Sequence, residues 1–122
     1  MFKLTNKKVV ITGGCSGIGK SIALTFLAQG AEVHVIDLKA PAEPLPSDIS
    51  LHLSDITNIE SVQAIADELG SIDILVNNAG IPQIGNLEKT SPSDFQNIFD
   101  VNVKGAYHCM YAFIPGMIQQ KS

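Results

Sequence analysis

One stretch constrains this chain more than any other: Thr12-Gly13-Gly14-Cys15-Ser16-Gly17-Ile18-Gly19. It follows the apolar run Val9-Val10-Ile11 and opens an amphipathic segment that closes near Gly30. Strand, glycine-rich turn and helix in immediate succession form the layout of a phosphate cradle. Residues without a Cβ let a diphosphate approach the backbone closely. The first N–H groups and the positive dipole end of the helix then face its negative charge. The sequence therefore predicts a nucleotide-binding site at the start of the chain.

With 122 residues the chain is one domain, 1–122. It is 45% hydrophobic and 16% charged, a globular composition rather than a disordered one. A net charge of −4 argues against a nucleic-acid partner, which calls for a basic face. Nothing approaches the ~18 consecutive apolar residues of a membrane span. No secretory leader is expected, because polar Thr5 to Lys8 interrupts the apolar start. Cys15 and Cys109 have no metal-ligand spacing and are expected as free thiols, which points to a cytoplasmic setting.

Val9–Thr12 suits a central parallel strand buried on both faces. Ile18, Ile22, Ala23, Phe26 and Leu27 recur at helical spacing. Ala31 to Asp37 reads as a second strand, and Pro41, Pro44 and Pro46 mark a loop after it. Alternating Ile49, Leu51 and Leu53 predict a third strand. Ile59, Val62, Ile65, Ala66 and Leu69 form a helical stripe stopped by Gly70, and Ile72 to Val76 is a fourth strand. Gly80 to Glu88 reads as a loop. Ser91-Pro92-Ser93-Asp94 starts a helix, with Ser91 as cap and Pro92 in the first position. That helix is expected to bury Phe95, Phe99, Ala106 and Met110, with Asn102 on the same stripe, and to end or kink at Pro115-Gly116.

Alternating strands and helices predict an α/β fold on a parallel sheet with right-handed crossovers. Such sheets bind ligands beyond the carboxyl ends of their strands. The Gly13–Gly19 loop, Asp37, Asp55 and Asn77-Asn78-Ala79-Gly80 follow four different strands and would meet at that edge. Two nucleotides compete for the loop. Gly14 to Ser21 satisfies GxxxxGK[ST], with Lys20 for phosphates and Ser21 for magnesium. An ATPase or GTPase of that kind also needs an acid at the end of a later strand, where Asn77 stands instead. A dinucleotide site needs an acid about 20 residues beyond the loop to bond the ribose hydroxyls. Asp37 is 18 residues after Gly19. Its charge would repel a 2′-phosphate and so favours NAD over NADP; the competing reading is that Asp37 only begins a turn.

These residues together resemble the short-chain dehydrogenase/reductase family over essentially the whole chain. Thr12-Gly13 with Gly17-Ile18-Gly19 matches its TGxxxGxG loop, and Asn77 to Gly80 matches its NNAG motif. The resemblance implies a Rossmann-like, doubly wound parallel sheet. It also implies cofactor contacts from Gly13, Cys15, Ser16, Gly17, Ile18, Gly19, Asp37, Leu38, Asp55, Ile56, Asn78, Ala79 and Gly80. Asp55 corresponds to the acid that contacts the adenine ring. Asn78 is expected mainly to tie neighbouring strands together. Asn102 corresponds to a catalytic-site asparagine that helps position a lysine and a water. The implied reaction is hydride transfer between NAD(H) and a small alcohol or carbonyl substrate, carried out by a homo-oligomer.

The family's catalysis also uses a serine and a Tyr-x-x-x-Lys pair. The tyrosines here are Tyr107 and Tyr111, followed four residues later by Tyr111 and Pro115. Family members run to about twice this length, so the chain reads as a sheet truncated after four strands and the fourth major helix. It is expected to be inactive alone, with an open edge at the fourth strand that invites association. The alternative is a non-catalytic nucleotide-binding or interaction module. His34, His52 and His108 are far apart in sequence and suggest no metal site; His108, Tyr107 and Tyr111 read as helix packing or surface residues.

Overall fold

The computed structural model describes residues 4–15, 17–79 and 91–120. The elements are β1 (Lys8–Thr12), α1 (Gly17–Ala28), β2 (Glu32–Asp37), β3 (Ile49–Leu53), α2 (Ile59–Leu69) and β4 (Ile74–Asn77). They are followed by α3 (Pro92–Phe99), a π-helical segment (Asp100–Gly105) and α4 (Ala106–Gln120). The four strands form one parallel sheet in the order β3-β2-β1-β4. Val9 lies beside Val33 and Ile74, and Ile11 beside Val35 and Val76.

Both faces of β1 are covered, which is why it is apolar without alternation. Val9 and Ile11 pack with Val33, Val35 and Ala23 on the α1 side. Val10 packs with Ile36, Val62, Cys109 and Phe113 on the α2 and α4 side. The step from β2 to β3 contains no helix, as its three prolines require. Leu45 from this loop packs against the α1-side core instead.

Local signals fix the helix ends. Asn58 caps α2, its side-chain oxygen accepting from the Glu60 and Ser61 amides at 3.0 and 3.3 Å. Gly70 closes α2 with φ +70° and donates its N–H to the Ala66 carbonyl at 2.9 Å. Ser91 Oγ accepts from the Asp94 amide at 3.0 Å, and Pro92 occupies the first turn of α3.

Several expectations from the sequence are corrected. Ile18 is 75% exposed and Leu53 is 58% exposed, because the first turn of α1 and the end of edge strand β3 run past the core. The fourth strand begins at Ile74; Ile72 is buried just before it. Phe99 and Met110 are largely exposed, and Asn102 is exposed as well. Gly105, Cys109 and Phe113 face the core in their place. A π turn holds more residues than an α turn, so the segment from 100 to 105 shifts the buried stripe out of the phase that an uninterrupted 3.6-residue period gives. The last helix does not end at Pro115-Gly116 but continues to Gln120. Proline there removes the hydrogen bond to the Tyr111 carbonyl, and Tyr111 is 60% exposed, on the solvent side of the helix. The burial expected of Phe95 and the loop at 80–88 lie outside what the structure describes.

Candidate functional site

The carboxyl ends of all four strands converge, and a set of hydrogen bonds joins three of them. Thr12, 1% exposed at the end of β1, is the hub. Its Oγ1 accepts from the amides of Asn78 and Ala79, both at 3.0 Å. Asn78 donates its side-chain amide to the Gly13 carbonyl at 3.1 Å. The turn after β1 and the segment after β4 are thereby fastened on either side of the point where the strand order reverses, which is where open α/β sheets form their crevice.

The glycines follow from this closeness. Gly13 has φ +70°, and a Cβ there would lie 2.9 Å from the Ala79 Cα. A Cβ on Gly19 would collide with the Gly13 carbonyl oxygen and the Asn78 side chain. The backbone at the mouth of α1 is thus bare, and the first turn of α1 contains no acidic side chain to satisfy its own amides.

Asp37 ends β2 beside this cradle. Its Oδ2 accepts from the Cys15 amide at 3.1 Å, and its Oδ1 from the amides of Leu38 at 2.8 Å and Lys39 at 3.4 Å. Three backbone donors hold the carboxylate in place, and two oxygens retain capacity for further donors. The buried Cys15 thiol is pushed up to about 11, first by burial and then by the Asp37 charge. Burial and a raised pKa both favour the neutral thiol at Cys15.

The Ser54 amide donates to the Asp37 carbonyl at 2.9 Å, tying β3 to the end of β2. Asp55 accepts from the Thr57 hydroxyl at 2.7 Å and the Thr57 amide at 2.9 Å. Those bonds, the hydroxyl first, hold its carboxyl below the usual range. Buried Ile56 turns inward to the core. Asn102 stands on the exposed π segment, connected to this loop through Gly105, whose Cα faces Ile56. Ser16 and Gly80 lie outside the described residues.

The sequence did not disclose Thr12 as the brace or Cys15 as the donor to Asp37; a hydroxyl ending a buried strand was the available signal for the first. Nor did it bring the histidines together. His34 Nδ1 and His52 Nε2 are 3.2 Å apart across β2 and β3, and His34 Nε2 meets the Glu32 carboxylate at 2.6 Å. Strand register alone decides that contact.

A parallel sheet with a glycine cradle at its switch point and an acid at the next strand end defines a Rossmann-like α/β protein of the dinucleotide-binding type. The family model described as short chain dehydrogenase matches residues 7–122. The chain belongs to the short-chain dehydrogenase family. It is 35% identical to oxidoreductase UcpA of Salmonella typhimurium, over 99% of this chain and 50% of that protein. It is 34% identical to galactitol 2-dehydrogenase of Agrobacterium fabrum, over 95% of this chain and 49% of that protein. Ligand-free aldohexose dehydrogenase of Thermoplasma acidophilum superposes with a TM-score of 0.84 at 36% identity, covering 94% of this chain and 46% of that one. The chain spans about half the length of the curated relatives it matches. This membership leaves the P-loop spacing of Gly14 to Ser21 without a role, and Asn77 rather than an acid ends β4. No helix among the described residues is long and apolar enough to cross a membrane.

Proposed function

We propose that these 122 residues are the NAD-binding half of a dehydrogenase that moves hydride between NAD(H) and a small alcohol or carbonyl compound. The observation that carries this reading is the Asp37 carboxylate, locked by the Cys15 and Leu38 amides beside a cradle that a single Cβ would fill. The residues fit a dinucleotide. Gly13, Ser16, Gly17, Ile18 and Gly19 would present backbone to its diphosphate. Asp37 and Leu38 would take the adenosine ribose, Asp55 and Ile56 the adenine, and Asn78, Ala79 and Gly80 the second ribose. When bound, the nicotinamide ring supplies the site that gives or accepts hydride.

The chain's own residues bind and orient. Asp37 as an anion accepts hydrogen bonds from both hydroxyls of a ribose diol and disfavours a 2′-phosphate, which is the basis for NAD over NADP. Burial, and after it the Asp37 charge, keeps the Cys15 thiol protonated beside the cradle. Asn102, on an exposed turn, would help position a lysine and a water on the catalytic side of the larger enzyme. These residues contain no Tyr-x-x-x-Lys, so proton transfer to the substrate requires groups beyond them. In that larger enzyme the chain is expected in a cytoplasmic homo-oligomer.

Fluorescence titration with NADH, NADPH and Mg-ATP tests the reading. It expects saturable NADH binding, weaker NADPH binding and no magnesium-dependent ATP response. ATP binding without an NADH response would overturn it.

A further inference from the structure

The loop that carries Asp55 and the helix that carries Asn102 meet at Ile56. On one side the bare Cα of Gly105 rests against it: a Cβ at 105 would come 2.6 Å from Ile56 Cδ1 and 2.7 Å from Cγ1. On the other side His108 Nδ1 donates to the Ile56 carbonyl at 2.8 Å. Ile56 is 7% exposed and packs in the α2–α4 core, so its side chain has little room to swing away. Gly105 is also the last residue of the π segment. Its φ is not in the left-handed region, so backbone conformation does not require glycine there. In a helix interior glycine costs about 1 kcal/mol against alanine. The close approach to Ile56 is what the position requires.

We propose that Gly105 and His108 form a clamp on Ile56 that sets the position of Asn102 relative to the Asp55 loop. Gly105 and His108 are then positioning residues: neither reaches the cofactor, and both act by fixing how far the π segment stands from the adenine end of the site. A Cβ at 105 forces the segment outward, and Asn102, three residues earlier, moves with it. Occupation of the adenine end bears on the Asp55–Thr57 turn and is felt at Asn102 through the same contact. The roles of Asp55 and Asn102 in this account rest on the function proposed above; the mechanical link does not.

The test uses the whole chain, with Asn102 side-chain amide signals read by NMR and NADH affinity by fluorescence. Gly105→Ala is expected to shift the Asn102 signals and weaken NADH about 10-fold, since the clash displaces a packed helix. Ile56→Ala placed in the Gly105→Ala background removes both clashing carbons and is expected to return the Asn102 signals toward wild type. A general loss of helix packing would not be repaired by deleting three more core carbons. Should Gly105→Ala not fold, His108→Ala serves: AMP added to the wild type shifts the Asn102 signals, and in this variant that shift is expected to fall by at least about half. Asn102 signals unchanged in Gly105→Ala, no recovery in the double variant, or an undiminished AMP response in His108→Ala would each overturn the clamp. If the wild type binds neither AMP nor NADH, the cofactor reading fails, and the ligand-free comparison of Gly105→Ala with the double variant still decides the clamp.

Discussion

Asp37 Oδ2 accepts a hydrogen bond from the Cys15 amide at 3.1 Å, so the acid at the end of β2 and the glycine turn after β1 hold each other in place. Replacing the acid removes a ribose acceptor and loosens the turn together. Asp37→Ala is expected to weaken NADH about 10- to 100-fold, the range for a hydrogen bond to a charged group, and to narrow the NADH-to-NADPH ratio. Parallel titrations check this; an unchanged ratio would remove the ribose contact.

Thr12 carries a second expectation. Thr12→Val keeps the shape of a 1%-exposed side chain but strips the acceptor from the Asn78 and Ala79 amides. Each unsatisfied buried donor costs about 1–3 kcal/mol. Urea unfolding is expected to show a loss of about 2–4 kcal/mol, the two amides being part-buried. NADH binding should fall as well, because the segment after β4 is no longer fastened to the cradle.

Acid should destabilise the fold through His52. Burial, then the neighbouring His34, lowers the His52 pKa below its ordinary value of 6.5, against a smaller opposing pull from Glu68. Below about pH 6.5 the unfolded chain therefore binds a proton that the folded chain resists, and stability falls as pH drops from there toward the lowered value. Glu32 and Asp55, both held below their usual ranges, add losses in the same direction at lower pH. His52→Gln is expected to flatten the decline between neutral and mildly acidic pH in urea midpoints.

The two thiols give a prediction at the alkaline end. Cys15 and Cys109 are both pushed up to about 11, in each case chiefly by burial. The unfolded chain ionises them near their ordinary value of 9.0, so their contribution to stability is lost as pH rises from there toward 11. Near pH 8 a thiol reagent should react slowly with the native chain and rapidly once urea unfolds it.

Association is expected at one edge. Among the described residues β4 pairs only with β1, and Ile74 and Val76 on one face and Leu75 on the other are only half-buried. Exposed strand edges recruit other chains. Sedimentation velocity should show mass rising with concentration, and Leu75→Lys should suppress that rise. A monomer at every concentration would count against an open edge.

Much of this was written in local sequence because its causes are local. Glycines after an apolar run, three prolines in one link, Ser91 before Pro92 and an acid 18 residues beyond Gly19 each act through backbone geometry or strand length. They determined the order of elements, the parallel sheet and the edge where Asp37, Asp55 and Asn78 gather. What lies between elements was decided by packing. Whether Asn102 faces core or solvent turned on a π segment whose extra residue per turn leaves no period for a helical pattern to reveal, and which fits only because Gly105 can lie against Ile56. The meeting of His34 with His52 and the reach of Cys15 to Asp37 likewise depended on strand register and turn shape. Sequence periodicity states which side of an element is apolar; only the tertiary structure states which neighbour that side touches, because contact distance is a property of two elements at once.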